Sequence, residues 1–260
     1  MRAVLTKFFA DRGTHLAAMI AYFALLSFVP LLFLALWLLS HVHQASPHSF
    51  FVHELQKTFP STSLDAIIDA VRAIQANATA LGVVGAFFLL WSSLSLFSVL
   101  ESAFNIVYGR PNRRWLHGKA LASLMMVGSL VSLFVSLVVG SVGQEVLKRY
   151  AGFEGDAITA RVIALAVSLA GVFIFLTSAY YVLTNVDLRV RDVLPGAATA
   201  SVILEATFQV LPQFVEVSKH NPVLQTLSGP AVLLVWLYVM ANVIVLGAEV
   251  NWARQNRRPR

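Results

Sequence analysis

The stretch LAAMIAYFALLSFVPLLFLALWLLS occupies residues 16–40 and holds no Asp, Glu, Lys, Arg or His. As a helix rising about 1.5 Å per residue it spans roughly 37 Å, more than the ~30 Å hydrocarbon core of a bilayer. It is apolar on every side, so it is not the one-faced helix of a soluble surface. It is too long for the apolar core of a signal peptide, and no small-x-small cleavage site follows within 39–48, so it reads as a mature helix.

Five further segments have the same character: 79–100, 120–143, 162–183, 193–211 and 227–248. The fifth is the weakest, because Glu205 interrupts it. None alternates with the period of a strand, which argues against a β-barrel. The composition agrees: 58% of the 260 residues are hydrophobic and 12% charged, against about 25% charged in a soluble domain. The predicted fold class is all-α, a polytopic six-helix transmembrane bundle forming one domain over 1–260. The chain has no cysteine, which removes disulfides, thiolate catalysis and Cys-based metal sites. No cofactor motif is present.

The net charge of +6 resolves into an orientation signal. One side of the six spans carries Arg2, Lys7, Arg12, Arg110, Arg113, Arg114, Lys119, Arg189, Arg191, Arg254, Arg257, Arg258 and Arg260. The other carries only Lys57, Arg72, Lys148, Arg149, Arg161 and Lys219. By the positive-inside rule, both termini are expected in the cytoplasm. The loop 41–78 is then external. Thr62-Ser63-Leu64-Asp65 resembles a capping box, and Leu64, Ile67, Ile68, Val71 and Ile74 recur at helical spacing after it. With a second candidate over 49–59, the loop is expected to hold short amphipathic helices, as a packed lid or a gate. His41, His43, His48 and His53 cluster there without the spacing of a fixed metal site, and ordinary loop histidines are the default.

Polar residues inside spans are costly and mark candidate sites. Glu205 lies near mid-bilayer, as a proton carrier, a ligand for a cationic group, or a protonated carboxyl bonded to a neighbouring helix. Glu101 and Asn105 end the second span, and Glu249 and Asn251 end the sixth. Both pairs are expected at the cytoplasmic interface, where water reaches them. Asn242 is deeper and suits a bond between helices. Gly128, Ser132, Ser136 and Gly140 stand four apart, a packing seam within the chain or between copies. Pro30, after Ser27, is expected to kink the first span, where it could serve as a gate. Pro195-Gly196 and Gly229-Pro230 suit the first turns of spans five and six.

Several motifs match a known family in order. Ala21-Tyr22-Phe23-Ala24-Leu25-Leu26-Ser27-Phe28-Val29-Pro30 resembles the AYxxLLSxxP signature of the YihY/BrkB membrane proteins. Glu101-Ser102-Ala103-Phe104-Asn105 is similar to the family's acidic-Ser-Ala-x-Asn motif. Pro195-Gly196-Ala197 with Glu205, and Gly229, Trp236 and Leu246-Gly247-Ala248-Glu249, resemble its last two spans. At 227–229 the chain reads Leu-Ser-Gly, where many members have Tyr before the Gly. The resemblance implies a six-helix inner-membrane bundle. It carries an old ribonuclease name, virulence and serum-resistance names, and a proposed link to envelope lipid export.

The ribonuclease reading fails on the residues. The cytoplasmic segments are too short to form a domain. They hold His15 and His117 and no carboxylate cluster suited to two-metal cleavage. No nucleophile–base pairing suggests another membrane enzyme. The expected function is transport of a lipid or amphipathic solute, with Arg113, Arg114 and Arg189 attracting anionic head groups. The competing class is a non-transporting envelope scaffold or assembly factor. The expected partners are membrane lipids and a second copy of the chain, with no nucleic acid.

Overall fold

The computed structural model describes residues 2–42, 78–129, 131–132, 157–220 and 229–256. They form seven helices, with no strand among them. These are α1 (Arg2–Ala10), α2 (Gly13–Val42), α3 (Ala78–Val107), α4 (115–129), α5 (Ala157–Leu183), α6 (Val190–His220) and α7 (Gly229–Gln255). Among the described residues three stretches are long and apolar enough to cross a bilayer: Leu165–Leu183, Val190–Val210 and Leu233–Gln255. Gly13–Ser27 and Leu94–Val107 are shorter apolar helical stretches. The expected lid helices of 41–78, the histidines at 43, 48 and 53, the side chain of His41, and Ser136 and Gly140 lie outside the described residues.

α7 is central and packs against α1, α2, α3 and α6, while α2 packs on α3 and α5 on α6. Small residues make these approaches possible: Ala17, Ala21, Ala103, Ala179, Ala197, Ala200, Ala241 and Ala248 are all fully buried. The tightest approach is Gly196 of α6 against Gly247 of α7. A Cβ on Gly196 would collide with the Gly247 carbonyl oxygen, and one on Gly247 with the Tyr180 hydroxyl and Ala200. Tyr180 itself donates to Ile244 O at 2.7 Å and rests edge-on against Phe104.

The helix ends explain the path of the chain. Arg12 takes a left-handed φ of 56° between α1 and α2, and its carbonyl accepts from His15 N and Leu16 N. α3 ends in a Schellman motif: Gly109 has φ 61°, Arg110 N donates to Asn105 O, and Gly109 N to Ile106 O. α6 starts with half a capping box, Arg189 N donating to Asp192 Oδ2 at 3.0 Å. That start corrects the reading of Pro195, which is the sixth residue of α6 and outside its first turn; Pro230 is the second residue of α7, as expected. α2 continues through Pro30 to Val42. The starts of α2, α4 and α6 and the ends of α3, α5 and α7 share one end of the bundle. Their cross-links are Lys7 to Val107 O, Arg113 to Leu183 O and Gly196 N to Asn251.

Candidate functional site

Two polar sites emerge, one at mid-helix and one at that shared end. The mid-helix site is Glu205 on α6. Its side chain is buried, at 8% exposure. Ser168 Oγ of α5 donates to Oε2 at 2.8 Å, and Gln209 Nε2, one turn on, donates to Oε1 at 3.2 Å. Ser168 and Gln209 are themselves exposed on the outer face of the α5–α6 pair. The sequence could not single out Ser168, because a serine in an apolar helix usually bonds its own backbone.

The end site has three parts. In the first, Glu101 Oε1 accepts from Arg113 N at 3.4 Å and lies 3.6 Å from the Arg113 guanidinium. A Cβ on Gly118 would press against the Glu101 carboxyl at 2.9 Å, so glycine allows the first turn of α4 to close over it. The same guanidinium donates to Leu183 O and Thr184 O, each at 2.7 Å. It therefore satisfies orphan carbonyls at the end of α5. This places Arg113 among buried partners, unlike the head-group role read from its charge; Arg114 and Arg189 are exposed.

In the second part, Asn105 accepts from Asn185 N at 2.6 Å and donates to Asn112 at 3.2 Å, which donates in turn to Ser102. Asn185 Nδ2 reaches Pro111 O at 3.0 Å. The α3–α4 loop is thus tied to the α5–α6 link.

In the third part, Asn251 Oδ1 accepts from Gly196 N at 2.6 Å. Glu249, fully buried, lies 3.3 Å from Lys7 Nζ. Lys7 also pairs with Asp11, donates to Val107 O at 2.8 Å, and stands 4.3 Å from the Trp252 ring centroid. Lys7 is the residue that sequence reasoning missed. Its charge was counted for orientation, and its partner Glu249 is far away in the chain. Burial, then the carboxylates of Asp192 and Glu249, push the nearby Tyr108 phenol above its ordinary value.

The expectation of water-accessible pairs is corrected. Glu101, Asn105, Glu249 and Asn251 are all buried: Arg113 and Gly118 stand against Glu101, Asn112 and Asn185 against Asn105, Lys7 of α1 against Glu249, and Gly196 of α6 against Asn251. Two other expectations change. Asn242 Nδ2 donates to Tyr238 O of its own helix at 2.7 Å, so its described bond is not between helices. Gly128 and Ser132 are exposed, and a Cβ at Gly128 would meet no atom within 4 Å, so no helix among the described residues seats there. Ser27 is buried and donates to Ser92 O at 2.7 Å, tying α2 to α3.

The family model described as virulence factor BrkB matches residues 4–260. A UPF0761 membrane protein of Aliivibrio salmonicida is 24% identical over 247 residues, 93% of this chain and 78% of that protein. The putative ribonuclease-like protein YfkH of Bacillus subtilis is 23% identical over 266 residues, 99% of this chain and 96% of that protein. A UPF0761 membrane protein of Pseudoalteromonas translucida is 25% identical over 257 residues, covering 93% and 81%. No solved structure matches the chain. A family model spanning nearly the whole chain, helices apolar enough to cross a bilayer, and relatives named as membrane proteins agree: the chain belongs to the virulence factor BrkB family of membrane proteins.

Proposed function

We propose that the chain is a six-span inner-membrane protein, one transmembrane domain with both termini in the cytoplasm, that moves a lipid or amphipathic solute across the bilayer. The observation that supports this best is Glu205. A buried carboxyl at mid-helix is flanked by Ser168 and Gln209, whose side chains open onto the outer face of α5 and α6. Polar groups facing lipid at that depth are expensive unless something polar visits them. The carboxyl, hydroxyl and amide together suit a head group with hydrogen-bond donors. Arg114 and Arg189 are exposed at the shared end, which suits attraction of anionic head groups.

The test is scrambling of a nitrobenzoxadiazole-labelled phospholipid in proteoliposomes, read by dithionite bleaching. The wild type is expected to accelerate bleaching, and Glu205→Ala to lose that acceleration while eluting as a folded protein. Equal rates in both would overturn the assignment. Orientation is checked on the same cysteine-free background. A membrane-impermeant maleimide is expected to label Ser46→Cys in intact cells and Asn256→Cys only after lysis.

One observation favours the scaffold reading. Both oxygens of Glu205 already have donors within the chain, as a purely structural carboxyl requires. On that reading the wild type gives no acceleration, and no ribonuclease or other catalytic step is involved.

A further inference from the structure

The elbow between α3 and α4, residues 110–114 with the first turn of α4, is firmly tied at the shared end, yet it presents its most apolar residues outward. Asn112, Arg113 and the Pro111 carbonyl are bonded to Asn105, Leu183, Thr184 and Asn185. Directly after them Trp115 is 73% exposed and Leu116 74%, the highest values of any large hydrophobic side chain described. A rigidly held helix start does not leave a Trp-Leu pair in water without reason.

Two observations identify what covers the pair. The first is continuity. Leu124 (61%), Val127 (52%) and Val131 (55%) follow Leu116 at helical spacing along α4 and its continuation. The exposed pair is thus the end of an apolar stripe that runs up the side of a bundle helix, the face that meets acyl chains. A soluble partner covering the elbow would have to stop where the stripe enters the bilayer. The second is charge. No Asp or Glu occurs between Glu101 and Glu145. Of the basic residues there, Arg113 is committed to Leu183 O and Thr184 O, and Lys119 to Ser98 Oγ at 3.1 Å. Arg110 and Arg114, at the two ends of the same short elbow, are exposed. An apolar stripe ending in a tryptophan and two outward arginines matches the boundary between acyl chains and phosphates.

We infer that the elbow is a seat for anionic phospholipid. Trp115 and Leu116 lie in the interfacial layer of the surrounding leaflet, and Arg110 and Arg114 hold lipid phosphates against them. The inference rests on the bilayer embedding in the proposed function and is independent of any transport at Glu205.

The test uses the full chain in nanodiscs, where both faces are reachable. Bimane is attached at Trp115→Cys and, as a second site, Leu116→Cys; the cysteine-free background makes each label unique. Expected are quenching by lipid nitroxides at shallow acyl depth and shielding from iodide. In discs of mixed phosphatidylcholine and phosphatidylglycerol, brominated phosphatidylglycerol should quench more strongly than brominated phosphatidylcholine, by at least about threefold. Arg110→Ala with Arg114→Ala should abolish that preference while leaving the depth unchanged. Iodide quenching as strong as for free dye, equal quenching by both lipids, or a response to single-stranded RNA in place of lipid composition would overturn the proposal. Loss of scrambling at Glu205 with this preference intact separates the two claims.

Discussion

Glu249 and Glu205 are both buried carboxyls, on helices packed against each other, and they are held in opposite ways. Glu249 is fully enclosed and faces the Lys7 ammonium, which is also bonded to Asp11 and Val107 O. Its neighbours belong to α1 and to the ends of α3 and α7. Glu205 is held by a serine and a glutamine whose other sides are exposed, and it faces no cation among the described residues. Enclosure by charge and backbone is how a fold fixes helix ends. A carboxyl propped by two neutral side chains can exchange those bonds for others at little cost. The difference assigns stability to the first region and makes the second the place where function is sought.

The largest expected effect comes from the crossing beneath Asn251. Gly247→Leu would drive a side chain into Tyr180, Ala200 and Gly196. It should cost more than about 3 kcal/mol, seen as loss of the monodisperse gel-filtration peak. Next is Lys7→Ala, which strands a buried carboxylate and should cost about 3 kcal/mol. Adding Glu249→Gln should recover more than half, read from inactivation half-lives in one detergent; no recovery would break the pairing on which the comparison rests. Arg113→Lys keeps the charge but loses the fork that spans Leu183 O and Thr184 O. It should cost about 1–2 kcal/mol by the same measurement. Glu205→Gln should cost less than about 1 kcal/mol, since an amide oxygen still accepts one bond, while scrambling falls away. A stability loss as large as that of Lys7→Ala would erase the contrast between the two regions. Asn242→Ala, which removes only a bond within its own helix, should stay within about 0.5 kcal/mol.

The helices and the polar residues were legible in the sequence, because runs of apolar residues and rare charges inside them are local signals. The predicted span 16–40 lies within α2, and 162–183 within α5. What joins them was not legible. Residues 2–10 show only orientation charges in the sequence, because Lys7 finds its partner in α7, a long-range contact that no window of sequence contains. Arg113 looked like any orientation arginine, since only the fold shows α5 ending beside it. Burial of Glu249 and Asn251 follows from long-range packing, Lys7 of α1 on the first and Gly196 of α6 on the second. Pro195 misled because proline commonly opens a helix, whereas here Arg189 and Asp192 open it first.

The Gly196–Gly247 contact sits near one end of α6, and that position makes α6 a lever with unequal arms. Glu205 is roughly 13 Å along the helix from the fulcrum, and the end at His220 roughly 36 Å, at about 1.5 Å per residue. A tilt of about 10° about the glycine contact displaces the carboxyl by roughly 2 Å and the far end by roughly 6 Å. The position of two missing side chains thus sets the ratio by which any tilt of α6 would be larger at the opposite surface than where the chain is most tightly tied.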